Sequence, residues 1–161
     1  MGNILRKSKK IKYENGEYNG YHNLDYKDGI VKYNTSEKYT GILCNNVYHG
    51  FGILDGNKYI LSGNWLNNKL NGKGKIIYNN IIYDGEFLNG IPNGIGILTT
   101  NKYIYTGEFQ NNIINGYGIL RDNNKVLYSG RWKRNSPTNK GYKNIILETI
   151  NMNNISYPVP I

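Results

Sequence analysis

Tyr83-Asp84-Gly85-Glu86-Phe87, followed by Gly94-Ile95-Gly96-Ile97-Leu98, is the stretch that decides the fold. It places an aromatic, a glycine two positions on and a large apolar residue ahead of a Gly-x-Gly pair and an aliphatic. Two copies stand upstream: Tyr39-Thr40-Gly41-Ile42-Leu43 with Gly50-Phe51-Gly52-Ile53-Leu54, and Leu61-Ser62-Gly63-Asn64-Trp65 with Gly72-Lys73-Gly74-Lys75-Ile76. A further copy follows, Tyr105-Thr106-Gly107-Glu108-Phe109 with Gly116-Tyr117-Gly118-Ile119-Leu120. Leading glycines fall at 20, 41, 63, 85, 107 and 130, so the period is close to 22 residues. A fixed period of this length marks a repeat architecture, which more often offers a binding surface than a pocket for chemistry.

The flanks carry worn copies. Upstream, Tyr18-Asn19-Gly20 leads to Gly29 at the offset of the first glycine of the pair, with Val31 where the second belongs. Downstream, Tyr128-Ser129-Gly130-Arg131-Trp132 opens a unit that leaves register at Asn135-Ser136-Pro137. Degenerate end units suit a stack, because a terminal repeat has one neighbour and faces water on its other side.

Turn residues recur twice per period. One set is Asn45-Asn46, Asn67-Asn68, Asn89-Gly90 and Asn111-Asn112; the other is Asp55-Gly56-Asn57, Asn79-Asn80, Thr99-Thr100-Asn101 and Asp122-Asn123-Asn124. Asn and Gly tolerate the positive φ that tight hairpin turns demand. The expected fold is therefore all-β, a single-layer antiparallel meander of hairpins with two strands per repeat. Alternation along each strand puts Tyr83, Gly85 and Phe87 on one face, and Gly94, Gly96 and Leu98 likewise. Bulky rings of one strand then lie over the bare glycines of its neighbour. The opposite face is mixed, with Phe51, Ile53, Ile95, Ile97, Tyr117 and Ile119 beside Lys73, Lys75, Glu86 and Glu108. A single layer leaves such a face available to a partner.

The pattern Tyr-x-Gly-x-aromatic, a turn, then Asn/His-Gly-x-Gly-x-aliphatic resembles the MORN repeat over about residues 18 to 134. That resemblance implies antiparallel hairpins stacked into an elongated, grooved ribbon, with a homodimer as one form. It implies scaffolding of protein partners, often beside a membrane or a cytoskeletal structure. The domain is expected over 13–141, with a capping tail over 142–161 that closes the ribbon edge.

Charge is unevenly spread. Residues 1–12 carry Arg6, Lys7, Lys9, Lys10 and Lys12 and no acid, residues 13–120 sum to −1, and residues 121–161 sum to +5. A nucleic-acid groove would need its positive charge along the ribbon, tracking phosphates, so nucleic acid is not an expected partner. Basic ends suit electrostatic contacts at the tips, with an anionic membrane surface as one candidate. Removal of Met1 would expose Gly2, the acceptor position for N-myristoylation. Arg6 stands where Ser or Thr is usual, and Ser8 comes two places later. The segment 1–12 thus reads either as a lipidated basic arm or as a solvated basic tail. One myristoyl chain binds membranes only at about 10⁴ M⁻¹ and needs a second signal, which a basic run supplies.

Chemistry finds little here. His49 holds the slot of Asn71, Asn93 and Asn115, which makes it a turn residue rather than a ligand or base. Two histidines and the single Cys44 make no metal-ligand cluster, and the acids are spread without a pair for acid–base work. The Gly-x-Gly pairs lack the Lys-Ser/Thr of a phosphate loop. No enzyme activity, cofactor, metal or small-molecule substrate is expected. With no long apolar run and no secretory h-region, the expected placement is cytoplasmic, peripheral on the cytoplasmic face of a membrane.

Overall fold

The computed structural model describes residues 8–22 and 26–139. Gly2, Arg6, Lys7 and the tail 142–161, on which the lipidation, arm and capping expectations rest, lie outside the described residues.

Among the described residues, thirteen strands follow one another in chain order and pair antiparallel with their sequence neighbours in one sheet. They are β1 Lys9–Tyr13, β2 Gly16–His22, β3 Tyr26–Tyr33, β4 Lys38–Cys44, β5 Val47–Asp55, β6 Tyr59–Leu66 and β7 Lys69–Tyr78. Then come β8 Ile81–Leu88, β9 Ile91–Thr99, β10 Ile104–Gln110, β11 Ile113–Asp122, β12 Lys125–Lys133 and β13 Ser136–Pro137. The all-β meander is the expected one, with two strands per unit.

Turn chemistry sets the hairpins. Asn45-Asn46, Asn67-Asn68, Asn89-Gly90, Asn111-Asn112 and Asn123-Asn124 all have positive φ at both residues, the signature of type I′ turns. Arg134, at φ 51, takes the same conformation where the other units use Asn. Four of the turns along one edge also bond to the second strand of the hairpin before them. Asn68 donates its N–H to the Tyr48 carbonyl at 3.3 Å and accepts the Tyr48 N–H on Oδ1 at 2.7 Å. Gly90 N–H reaches the Leu70 carbonyl (2.7 Å), Asn112 N–H that of Pro92 (2.8 Å) and Asn135 N–H that of Ile114 (3.0 Å). These bonds satisfy backbone groups that the ladder leaves open near each hairpin tip.

Glycines form one cross-strand row. From β2 to β12, Gly20, Gly29, Gly41, Gly52, Gly63, Gly74, Gly85, Gly96, Gly107, Gly118 and Gly130 stand directly opposite one another. Gly29 therefore holds the slot of Gly52, not of Gly50, and Val31, opposite Tyr18 and Tyr39, is the counterpart of Leu54. The first hairpin is shorter by two residues, which makes offset along the chain a misleading guide there.

The two glycines of each pair differ in role. Gly85 pairs with Gly96 but Phe87 with Pro92, so β9 carries two extra residues at a bulge. Gly94 sits there at φ 108, and Gly50, Gly72 and Gly116 also have positive φ at bulges of the same kind. A β-carbon on Gly94 would meet the Glu86 side chain, so this position looks to the outer face. The expectation that Gly94 shares a face with Gly96 and Leu98 fails because the bulge breaks the alternation. His49 likewise lies within β5 beside its bulge, not in a turn.

One face of the sheet is buried throughout. Tyr39, Leu43, Leu54, Leu61, Leu70, Ile76, Tyr105, Ile114 and Leu120 are fully buried, and the core among the described residues contains no buried charged side chain. A lone sheet hides one face this completely only by curling around its own side chains. Lys9, Lys10 and Lys12, expected in a flexible arm, instead belong to edge strand β1, where Lys10 pairs with Glu17 at 2.9 Å. Ile11 and Tyr13 hold that strand by packing against the core.

Candidate interaction surfaces of the ribbon

The curled face is filled by rings. Tyr39 stacks on Tyr48 at 4.0 Å, and both meet Trp65 edge-on. Tyr83 contacts Phe87 (5.1 Å) and Phe109 (4.9 Å); Phe109 contacts Tyr105, and Tyr105 and Tyr128 both contact Trp132. Edge-to-face geometry of this kind adds to the burial of the rings. Each repeat tyrosine runs along its strand over the glycine row and donates its hydroxyl to the carbonyl three residues on. The bonds are Tyr39 to Ile42 (3.1 Å), Tyr83 to Glu86 (2.8 Å), Tyr105 to Glu108 (3.2 Å) and Tyr128 to Arg131 (2.9 Å). Leu61 has no hydroxyl; in that unit Trp65 donates its indole N–H to the Gly52 carbonyl at 3.0 Å.

Burial raises the Tyr18 and Tyr33 hydroxyls from the ordinary value of 10.0 to about 12. Desolvation also pushes Tyr39, Tyr48, Tyr83 and Tyr105 upward. The fold thus favours the protonated phenols. Their contribution is fully present below pH 10, where the unfolded phenol titrates, and is lost as pH rises through the folded values of about 12 and above. We expect stability to fall through this alkaline window, with tyrosinate absorbance growing in step with loss of sheet circular dichroism. Full tyrosine ionisation with the sheet intact would contradict this.

The outer face is the accessible one. Phe51 (63% exposed), Ile95 (56%) and Tyr117 (62%) project from between the glycines of three units, while Lys73 takes that place in the second. Two acids do structural work there: Glu86 Oε2 accepts the Ile95 N–H and Glu108 Oε1 the Tyr117 N–H, each at 2.9 Å. Sequence reading missed this capping, although Glu at the same position in consecutive units is a signal for it. It also missed the turn-to-strand bonds, which no spacing in the chain reveals.

The structure gathers the repeat residues into two sets. Tyr83, Phe87, Tyr105, Phe109, Tyr128, Trp65 and Trp132 fill the curled face over Gly41, Gly52, Gly63, Gly74, Gly85, Gly96, Gly107, Gly118 and Gly130. Gly50, Gly72, Gly94 and Gly116 turn outward at the bulges. Lys9, Lys10 and Lys12 are exposed at one end of the sheet, and Arg131, Lys133 and Arg134 lie at the other, near clefts that open beside Asn115. Among the described residues no group of three His, Cys, Asp or Glu side chains gathers to hold a metal.

No curated protein matches the chain. A family model, the MORN repeat, matches at residues 62–80, 83–102 and 105–125, which are the units that keep the full glycine pattern after the first. Repeats of this family are non-enzymatic modules for interaction with proteins and membranes. Over residues 62–125, then, the hairpins of this chain are three consecutive MORN repeats.

Proposed function

We propose that the protein is a non-enzymatic scaffold held beside an anionic, cytoplasmic-facing membrane through its basic, N-myristoylated start, with the ribbon free to bind protein partners. The observation that supports it most is the separation of charge from the repeats. The body between residues 13 and 120 is nearly neutral, while Arg6, Lys7, Lys9, Lys10 and Lys12 crowd one end. Each basic side chain near an anionic leaflet contributes about 1 kcal/mol, which reinforces a single acyl chain of marginal affinity. Lys9 and Lys12 are exposed on the sheet edge, so the basic cluster is rigidly coupled to the ribbon at its inner end.

A second reading, a soluble self-associating component of a cytoskeletal assembly, draws on the exposed outer-face residues Phe51, Ile95 and Tyr117. Gly2→Ala separates the two. Release of a tagged Gly2→Ala protein from the membrane fraction into the soluble fraction is the expected outcome, with mass spectrometry showing the acyl group on wild type. Identical fractionation of both forms, with a free or acetylated Gly2, would sink the membrane reading.

A further inference from the structure

The last hairpin reverses a charge that the two units before it share. The residue after the leading glycine is Glu86 in β8 and Glu108 in β10, and each carboxylate sits on the backbone N–H at the adjacent bulge. In β12 the corresponding residue is Arg131. Two positions on, Gln110 becomes Lys133, and the turn residue Asn111 becomes Arg134. Where the two preceding units hold a carboxylate, this one holds cations.

The corner is also concave. A cleft of about 310 Å³ is bordered by Arg131, Trp132, Lys133 and Thr138 on one side and by Asn115 and Gly116 on the other. Asn115 joins it to a second cleft of about 180 Å³, which adds Arg134 and Ile113. Among the described residues none of Arg131, Lys133 and Arg134 has a carboxylate partner. Arg131 is held over the Tyr117 ring at 5.5 Å, which orders the guanidinium. The nearest acid in the preceding unit, Glu108, is already committed to the Tyr117 N–H.

We propose that this corner is a docking site for an acidic segment of a partner protein, whose carboxylates pair with Arg131, Lys133 and Arg134. Arg131 and Arg134 supply planar forks suited to carboxylates, Lys133 adds a point charge, and the exposed Ile113 offers apolar contact beside them. The site deepens the protein-binding part of the proposed function and rests on that part.

The repeat itself provides a safe variant. Arg131→Glu, Lys133→Gln and Arg134→Asn together copy the preceding unit, so the fold tolerates each residue at its place. With the full chain, binding of a fluorescently labelled glutamate–serine repeat peptide is followed by anisotropy, with the glutamine–serine peptide as control. The glutamate peptide should bind, weaken with added salt, and lose about tenfold or more in affinity on the triple variant. Replacing Lys9, Lys10 and Lys12 by Gln, at the far end of the sheet, should leave it unchanged. Equal binding of the two peptides, or full affinity in the triple variant, overturns the proposal. So does a protein that ignores the peptide but loses phosphatidylserine vesicles when the corner is changed, since the surface then serves lipid. The Gly2→Ala fractionation stands apart from all of these results, so a failed corner and a failed membrane tether are told apart.

Discussion

Valine in place of Gly96 should lower the unfolding free energy by about 3 kcal/mol, the upper end for overpacking a filled core. A β-carbon at Gly96 would stand 2.5 Å from Tyr83 Cε2 and 2.6 Å from its Cζ and hydroxyl. Tyr83 has no room to retreat, because Phe87 and Phe109 press on it edge-on and its hydroxyl is tied to the Glu86 carbonyl. Urea denaturation gives the loss directly. The cause is isolated by repeating the substitution in a Tyr83→Ala background, where the added methyls occupy the space of the missing ring and Gly96→Val should cost much less. A penalty that is unchanged without the ring would show that the glycine is required for some other reason. Gly94, two residues away, fails differently: its φ of 108 strains any L side chain, and the space beside it is taken by the Glu86 side chain that caps the bulge.

Phe109→Ala should cost about 4 kcal/mol, in the range for emptying an aromatic site in a packed core. Phe109 is 4% exposed and is the ring through which Tyr83 of one unit and Tyr105 of the next meet, at 4.9 and 5.4 Å. Its removal breaks contact within a repeat and between repeats together. In a stack whose stability is a sum of units and their junctions, the damage should concentrate around β8 to β11. Hydrogen exchange should report faster opening there than in β4 and β5, where the Tyr39–Tyr48–Trp65 cluster is untouched. Phe51→Ala is the matching control, since Phe51 is 63% exposed and its loss should change stability by no more than about 0.5 kcal/mol. A Phe109→Ala protein as stable as Phe51→Ala would mean that the rings do not bind the repeats together.

Much of this molecule was legible in the chain because its instructions are local. An Asn pair at a hairpin tip selects positive φ whatever surrounds it, and Asn67-Asn68 or Asn111-Asn112 needs no tertiary information to form a turn. Alternation placed Tyr83, Gly85 and Phe87 on one face, and the regular spacing gave the number of full units. The interaction surface was less legible. That Glu86 and Glu108 cap bulges depends on residues 9 positions apart meeting across a hairpin, and the concave corner at Arg131 depends on β12 lying against Asn115, Gly116 and Tyr117 of β11.

The sequence by itself determined the turns, the strand content and the repeat, since each rests on the conformational preference of a few adjacent residues. Only the tertiary structure decided register and curl. Two extra residues at each bulge turn Gly50, Gly72, Gly94 and Gly116 outward and keep Gly52, Gly74, Gly96 and Gly118 beneath the rings, a distinction invisible in Gly-x-Gly. Register is set where successive strands are hydrogen-bonded together, and curl is set by how closely rings can approach bare backbone. Those are distances between strands, and no spacing along a single strand contains them.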